Sequence, residues 1–182
     1  MIINAQTILL EPAEVLRMKA EEVQLPLNEE DKQLLTDMIE YVRNSHDDQY
    51  CQENGIRPSV GIAAPQVGVS KKMIAVSIEE EDGMVEFALA NPKIISNSSM
   101  KAYLENGESC LSVDPDVQGL VPRYNKITVK GYDLLTDSMV KIRLSGYPAI
   151  VMQHEIDHLY GILYYDHIDK NNPFKPIDGV AV

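Results

Sequence analysis

Cysteines and basic residues are both scarce in this sequence of 182 residues. Cys51 and Cys110 are the only two cysteines, so at most one disulfide could form, and a cytosolic setting favours separate roles for them. Lysine and arginine number 16 against 28 acidic residues, which gives a net charge of −12. Because a negative chain repels phosphate groups, we expect neither a general nucleic-acid surface nor DNA binding.

Long apolar runs are also missing. No segment reaches the roughly 20 apolar residues that a membrane-spanning helix needs. The opening residues, Met1-Ile2-Ile3-Asn4, lack the basic start of a secretion signal. We therefore expect a soluble, cytoplasmic protein with no membrane partner. The length and a hydrophobic content of 45% suit one well-buried core, which predicts a single domain over residues 1–182.

The most informative stretch is residues 153–158, which read Gln-His-Glu-Ile-Asp-His and fit the pattern H-E-x-x-H. On a helix, His154 and His158 share one face and lie roughly 6 Å apart along the axis. Both imidazoles can then reach one metal ion, while Glu155 lies beside them and is able to move a proton. The pattern therefore predicts a catalytic metal site.

This helix is expected to be buried at the centre of the fold. Pro148 suits the first turn of a helix and Gly161 the residue just past its end, so the helix should span about 148–160. Apolar side chains cover nearly every side of it: Ala149, Ile150, Val151, Met152, Ile156 and Leu159. Two histidines and an acid are costly there unless a partner such as a metal satisfies them. The alternative is a buried helix whose histidines hydrogen-bond to neighbouring groups.

The rest of the chain predicts an α+β fold, with antiparallel β-sheets packed around the central buried helix that carries the motif. Asn28, a good N-cap followed by three acidic residues, predicts a helix that reaches about Ser45. A shorter helical piece is expected at Glu11–Ala20, and a loop with room for one helical turn around Cys51 is expected at His46–Pro58. The predicted strands are Lys72–Ile78, Val85–Ala90, Lys93–Ser96, Asn125–Tyr132, Met139–Ser145 and Ile162–Tyr165.

The two histidines need a third partner, because a catalytic metal usually has three protein ligands and one open position. No His or Glu follows the helix at a spacing common in metalloproteases, and His167 lies past its end. Cys110 is the better candidate, since thiolate binds transition metals tightly and the residue lies in a turn-rich segment. Gln66, within the small-residue segment 59–68, offers an amide to a nearby group. That segment alone fits a functional loop and an ordinary strand-flanking loop equally well.

Three segments together resemble the signatures of the peptide deformylase family, metallohydrolases that remove the N-formyl group from new bacterial polypeptides. Residues 61–66 read Gly-Ile-Ala-Ala-Pro-Gln, and the family has a Gly-rich segment ending in Ala-Ala-x-Gln. Residues 108–112 read Glu-Ser-Cys-Leu-Ser against Glu-Gly-Cys-Leu-Ser. Residues 153–158 match Gln-His-Glu-x-Asp-His, and the order is the same. Insertions between the first two segments resemble the subgroup common in low-GC Gram-positive bacteria.

The resemblance implies a metal held by Cys110, His154 and His158. In this family the metal is usually Fe²⁺, with Ni²⁺, Co²⁺ or Zn²⁺ able to substitute. Glu155 would take a proton from the attacking water and deliver one to the leaving amine. The expected partners are N-formyl-methionyl peptides and nascent chains, with a transient contact with the ribosome.

The resemblance also assigns residues to the substrate. The Gln66 side-chain amide and the Leu111 backbone N–H would stabilise the oxyanion. Gly61 would pair with the peptide backbone, and Ser109 would border the substrate groove. The positions that match the methionine pocket are Val60, Tyr147, Ile150 and Val151.

Two serines, Ser59 and Ser109, stand where the family usually has glycine. Ser109 lies beside a predicted ligand, so we expect a narrower groove and weaker turnover of ordinary formyl-methionyl peptides. This departure keeps open a deformylase-like protein with reduced or lost turnover. A zinc peptidase built on the same helix motif is the other alternative.

Overall fold

The computed structural model describes all residues from Met1 to Val182. The helices are α1 (Glu29–Asn44), α2 (Asp48–Asn54) and α3 (Gly146–His158). The strands are β1 (Gly61–Ala63), β2 (Met73–Glu80), β3 (Gly83–Asn97), β4 (Lys101–Tyr103), β5 (Arg123–Tyr124), β6 (Lys126–Asp133), β7 (Ser138–Ser145) and β8 (Gly179–Ala181). Single 3-10 turns occur at Glu14–Arg17, Ala64–Val67 and Tyr164–His167.

The strands form two sheets on either side of α3. An antiparallel five-stranded sheet has the order β1-β2-β3-β6-β7, and a three-stranded sheet has the order β5-β4-β8. Helix α3 contacts strands of both sheets. The predicted α+β class, with sheets around a buried central helix, is confirmed; the parallel β4–β8 pair is the one exception to antiparallel pairing.

The alternating side chains of β2 show that α1 packs on one face of the large sheet and α3 on the other. Met73 and Ala75 pack with the apolar face of α1, whereas Ile74 and Val76 pack with α3. Side chains of a strand point alternately to opposite faces, so one strand serves both layers. The N-cap of α1 is the predicted one, because the Asn28 side chain accepts a hydrogen bond from the Asp31 amide at 2.8 Å.

Strands β2 and β3 form one hairpin and β6 and β7 another, but the sequence wrongly predicts β3 as two separate strands, Val85–Ala90 and Lys93–Ser96. Strands β6 and β7 pair without interruption from Lys126 opposite Ser145 to Asp133 opposite Ser138. Strand β3 continues through Asn91 and Pro92 to Asn97, where the sequence predicts a break. The pairing shifts register between Ala90 and Lys93, so the proline is accommodated in a bulge of one long strand.

Two of the predicted elements near the chain ends are wrong. The Glu11–Ala20 segment forms only the 3-10 turn Glu14–Arg17, because its backbone bonds elsewhere: the Glu11 amide donates to the Ser112 carbonyl. The predicted strand Ile162–Tyr165 is replaced by the turn Tyr164–His167, where the Asp166 carboxylate accepts the Leu163 amide. The final strand is β8, which the sequence did not reveal. No helix of the structure has the length and apolar character needed to cross a membrane.

Candidate metal centre

Three possible donors from two distant parts of the chain meet beside α3. Cys110 lies in the loop between β4 and β5, and His154 and His158 lie one turn apart on α3. Their ligand atoms all lie within 4.8 Å of one another, and the Cys110 sulfur is 3.4 Å from Nε2 of His158. A sulfur with two imidazole nitrogens is a donor set that transition metals prefer, and three protein donors leave one position open. The residues present therefore fit a divalent transition metal.

A buried carboxylate fixes the orientation of the His154 ring. Nδ1 of His154 lies 2.8 Å from Oε2 of Glu108. Burial alone would raise the pKa of Glu108, but the charge of Arg123 and the bond to His154 outweigh it and lower that pKa to about 2. The ionised Glu108 accepts a hydrogen bond from Nδ1, which leaves Nε2 as the nitrogen of His154 that would bind a metal. Burial lowers the pKa of His158 well below its usual range and keeps that ring neutral, whereas at His154 burial is outweighed by the hydrogen bonds to Cys110 and Glu108, which raise the pKa well above its usual range.

Behind this carboxylate lies a buried chain of charges. Arg123 donates from Nε and Nη2 to both oxygens of Glu108, at 2.9 Å each, and from Nη1 to Asp157. Asp157 also pairs with Nε2 of His167 at 2.7 Å. Arg123 is 3% exposed, so removing Glu108 would leave two of its buried N–H donors without an acceptor, with only Asp157 left to balance its charge, and would destabilise the fold.

Glu155 lies next to the donors with one oxygen free. Its Oε2 is buried and has no hydrogen-bond partner. Burial raises the pKa of Glu155 to about 7. Gly61 makes room for this side chain, because a Cβ at that position would lie 2.5 Å from Oε1 of Glu155. An unpartnered buried carboxylate is costly in a purely structural site, and it suits a site that binds water or substrate.

Two N–H groups face the same space. The Gln66 amide is held by its oxygen, which accepts the Ala63 N–H at 2.9 Å, and its nitrogen donates to the Ser112 hydroxyl at 3.1 Å. The same nitrogen lies 3.6 Å from the Cys110 sulfur, so its second N–H is directed at the metal centre. The backbone N–H of Leu111 donates to no acceptor in the structure.

All these groups border one cavity of about 550 Å³. Of the twelve site residues expected from the sequence, only His158 does not line it, since that side chain is buried beneath the surface of the cavity. The lining residues among the twelve are Val60, Gly61, Gln66, Ser109, Cys110, Leu111, Tyr147, Ile150, Val151, His154 and Glu155.

Sequence reasoning missed several residues of the site. Glu108 and Asp157 lie inside the recognised motifs, and their acidic side chains beside the ligands were a usable signal. Arg123 carried no such signal, because only the fold brings it between the two acids. At the outer rim the cavity is lined by charged or ionisable side chains that the sequence left as loop: His46, Asp48, Arg57 and Glu79.

Comparison with known proteins shows which protein family has this arrangement. A family model described as polypeptide deformylase matches residues 5–174. The chain belongs to the polypeptide deformylase family. Peptide deformylase 2 of Bacillus anthracis is 51% identical over 179 residues, which are 98% of this chain and 97% of that protein. Peptide deformylase 2 of Bacillus subtilis is 49% identical over 183 residues, 100% and 99% of the two chains.

Solved deformylases have the same fold. The peptide deformylase from Thermus thermophilus superposes with a TM-score of 0.71 at 32% identity, over 91% of this chain and 86% of that one. The enzyme from Ehrlichia chaffeensis gives 0.74 at 27% identity, over 94% and 90%. The expected function follows: the chain is a metal-dependent hydrolase that removes N-formyl groups from polypeptides, and the zinc-peptidase interpretation is set aside.

Proposed function

We propose that residues 1–182 act as one catalytic domain that deformylates the N-terminal formylmethionine of newly made polypeptides. The observation that carries the proposal is the convergence, beside one cavity, of three metal donors, the unpartnered Oε2 of Glu155, the Gln66 side-chain amide and the unpartnered backbone N–H of Leu111. Formamide hydrolysis needs a nucleophile, stabilisation of the oxyanion and a proton for the leaving amine, so these groups are the ones that it requires.

Cys110, His154 and His158 would hold the metal, and we propose Fe²⁺ as the native ion. When bound, the ion supplies Lewis acidity and makes water a stronger nucleophile at neutral pH. Glu108 orients His154 and keeps its Nε2 available as a ligand. The Cys110 thiol must lose its proton to bind, which couples metal loading to pH.

Glu155 is proposed as the proton carrier. Glu155 lines the cavity next to His154 and its Oε2 has no hydrogen-bond partner, so we propose that it accepts a proton from the attacking water. The same carboxyl then donates that proton to the amine as the C–N bond breaks and formate leaves. Glu108, the carboxylate that bonds to His154, is not free, because both of its oxygens are bonded to Arg123.

The two N–H donors would bind the oxyanion that develops on the formyl group. The Gln66 amide cannot rotate without losing its bonds to Ala63 and Ser112, so its N–H direction is set before substrate arrives. The Leu111 amide is directly adjacent to the ligand Cys110. Donors fixed in this way stabilise charge in the transition state, and losing one typically costs about a hundredfold or more in rate.

The cavity wall would receive the methionine side chain, and β1 would pair with the peptide backbone. Val60, Tyr147, Ile150 and Val151 provide a mostly apolar lining beside the donors. Strand β1 is an edge strand of the large sheet, so one side of Gly61 is not covered by another strand. An extended peptide can add to such an edge through main-chain hydrogen bonds.

The partners proposed for this site are N-formyl-methionyl peptides and nascent chains in the cytoplasm, with a transient contact with the ribosome. The family to which the chain belongs supports this substrate class.

Glu155→Gln tests the proposed mechanism. We expect wild-type protein to release formate from formyl-Met-Ala-Ser, and the variant to keep its metal but lose at least about a hundredfold in kcat, because the amide cannot carry the proton. Elemental analysis alongside the assay separates this from metal loss, for which Cys110→Ser is the matched control. Near wild-type turnover in Glu155→Gln would move the proton-carrier role to another group. A wild-type protein that is fully loaded yet inactive would favour the form with lost turnover.

The choice of Fe²⁺ has its own test. Iron beside a thiolate promotes oxidation of both in air, so iron-loaded protein should lose activity in air and keep it under exclusion of oxygen. Equal half-lives in the two conditions, with iron content verified, would argue for another ion.

A further inference from the structure

One face of the large sheet carries positive charge without compensation. Five exposed cations lie on the outward side of β3, β6 and β7, opposite the side that packs on α3; this basic face comprises Lys93, Lys126, Lys130, Lys141 and Arg143. Residues of β6 that alternate with them, Ile127 and Val129, are buried against α3. Helix α1 covers the same side of the sheet at β2 and the first half of β3, and the five cations lie on the part that remains exposed.

The strand register places these cations directly beside one another. Lys93 pairs with Lys130 across β3 and β6, and Lys130 pairs with Lys141 across β6 and β7. One step along, Arg143 pairs with Thr128. Directly opposite residues have Cβ atoms about 5 Å apart, and like charges at that distance destabilise a sheet. Three lysines in one row are thus an arrangement that stability alone does not favour.

Acidic residues are absent from the basic face although the chain has 28 of them. The residues between the cations are Ser96, Thr128, Met139 and Ser145. None of the five cations forms a salt bridge or a side-chain hydrogen bond, whereas Lys32, Arg43, Lys71 and Lys72 elsewhere each pair with a carboxylate. Asp137, at the hairpin end, instead accepts a hydrogen bond from Tyr132.

We propose that the basic face binds the phosphate backbone of structured RNA, and that in the cell this is RNA on the surface of the ribosome. The partner is deduced from charge: a compact row of ammonium groups complements a row of phosphates and contains no groups arranged to read bases. That the RNA belongs to the ribosome rests on the proposed function, since nascent formylated chains emerge there. The net charge of −12, which argues against nucleic acid for the molecule as a whole, conceals this local surface.

Docking through the basic face would leave the catalytic cavity accessible to substrate. None of its five residues lines the catalytic cavity, and the sheet separates the face from α3 and its two histidines. The enzyme could therefore remain bound to RNA while an extended peptide enters beside β1. Contacts made only to phosphate are weak and dependent on salt, which suits repeated brief docking.

The test compares two triple variants with equal charge. Lys93→Gln/Lys130→Gln/Lys141→Gln removes the central row, and Lys19→Gln/Lys170→Gln/Lys175→Gln removes three exposed lysines elsewhere. Binding of metal-loaded protein to purified bacterial 70S ribosomes and to naked ribosomal RNA is measured over a range of salt concentrations. We expect the face variant to lose at least about tenfold in affinity and about two units of salt slope, while the control stays within about twofold of wild type.

Three outcomes would overturn the proposal. Equal weakening in both variants would show only general electrostatics. Binding to ribosomes but not to naked RNA, unchanged in the face variant, would indicate a ribosomal protein as partner. Binding of wild type to vesicles rich in anionic lipid as tightly as to RNA would indicate no preference for RNA.

Two further measurements keep this result separate from the catalytic proposal. The face variant should melt no lower than wild type, because it removes repulsion. It should also hydrolyse formyl-Met-Ala-Ser at the wild-type rate. Failure of the wild type to hydrolyse that peptide would refute the proposed function without affecting RNA binding.

Discussion

At the scale of single residues, Ser59 is the departure from the family pattern that the structure makes most consequential. Its hydroxyl donates to the Gly61 carbonyl at 2.6 Å, and its oxygen lies 3.3 Å from the Gly61 amide. These are the backbone groups proposed to pair with the substrate. A serine in place of glycine thus supplies an internal competitor for the incoming peptide.

We predict that Ser59→Ala raises kcat/KM for formyl-Met-Ala-Ser by about two- to tenfold, mainly through a lower KM. The reason is that removing one competing neutral hydrogen bond changes binding by about 0.5–1.5 kcal/mol. Ser59→Thr, which keeps the hydroxyl, is the matched control and should behave as wild type. A rise in kcat at constant KM in the alanine variant would contradict this explanation.

Ser109 affects the groove through its size alone. A position that needs glycine often has a positive φ, but the only non-glycine residues with positive φ are Asn91 and Asp137, so Ser109 causes no strain of that kind. The Ser109 hydroxyl makes no hydrogen bond, and the residue lines the cavity. The weaker turnover expected from Ser109 can therefore come only from the space that its side chain takes up in the groove.

Ser109→Gly should therefore change kcat/KM by less than about twofold for formyl-Met-Ala-Ser and raise it several-fold for peptides with a bulky second residue. Metal content should stay the same, since the position is not a ligand. A uniform gain for small and bulky peptides alike would mean that the serine acts on the reacting groups and not on groove width.

At the scale of secondary-structure elements, a group of hydrogen bonds around Glu86 connects α1 to the large sheet. Arg43 near the end of α1 donates from Nε and Nη2 to the two oxygens of Glu86 on β3, at 2.9 and 2.7 Å. Ser77 of β2 donates to the same carboxylate at 2.8 Å. These bonds lower the pKa of Glu86 below its ordinary value of 4.5, with that to Arg43 the largest cause.

The hydrogen bonds to the Glu86 carboxylate should contribute stability that depends on pH. Because the pKa of Glu86 is lower in the folded protein, its contribution is full above about pH 4.5 and is lost as the pH falls through the folded value. Glu86→Gln should lower the free energy of unfolding at pH 7 by about 0.5–1 kcal/mol, a modest figure because Arg43 is partly exposed. The difference from wild type should shrink towards zero in strong acid. Glu29→Gln, at a fully exposed pair, should show no such change.

The sequence predicted correctly the elements that depend on residues close together in the chain, and it missed those that depend on distant partners. The α3 helix depends on spacing within one segment, so its prediction was confirmed, and His154 and His158 lie one turn apart on it. Strand β8 pairs in parallel with β4, far back in the chain, and a strand of three residues carries no pattern of its own. Arg123 was missed for the same reason, since its two carboxylate partners lie in separate motifs. The bulge at Pro92 required knowledge of the partner strand.

At the scale of the whole molecule, the proposed metal would add a further link between α3 and the irregular segment that carries Cys110. The segment from Leu104 to Pro122, which carries Cys110, contains no helix or strand. It is anchored by the bonds between Glu108 and Arg123, by the Ser112 carbonyl, and by the Val117 amide donating to the Tyr164 hydroxyl. Ligation of Cys110 would add a direct bond from this segment to α3.

Removing the metal with a chelator should therefore destabilise the protein, by about 3–4 kcal/mol if free metal had been at roughly 100–1,000 times its dissociation constant. Calorimetry should show a lower Tm, and hydrogen exchange should rise first in residues 109–117. Cys110→Ser should be nearly insensitive to the chelator. An unchanged Tm for wild type, with metal loss verified by elemental analysis, would show that the segment is held by its other contacts.

The two cysteines lie in different environments, so labelling of their thiols can measure how much of the enzyme carries a metal ion. Cys51 is buried in α2, its thiol donates to the Ser45 carbonyl, and burial raises its pKa. Cys110 lines the cavity and is the proposed ligand. Alkylation requires a free thiolate, so a small thiol reagent would modify Cys110 in molecules without metal and leave Cys51 intact. The fraction of singly labelled chains in a mass spectrum would then equal the fraction of enzyme that lacks its ion.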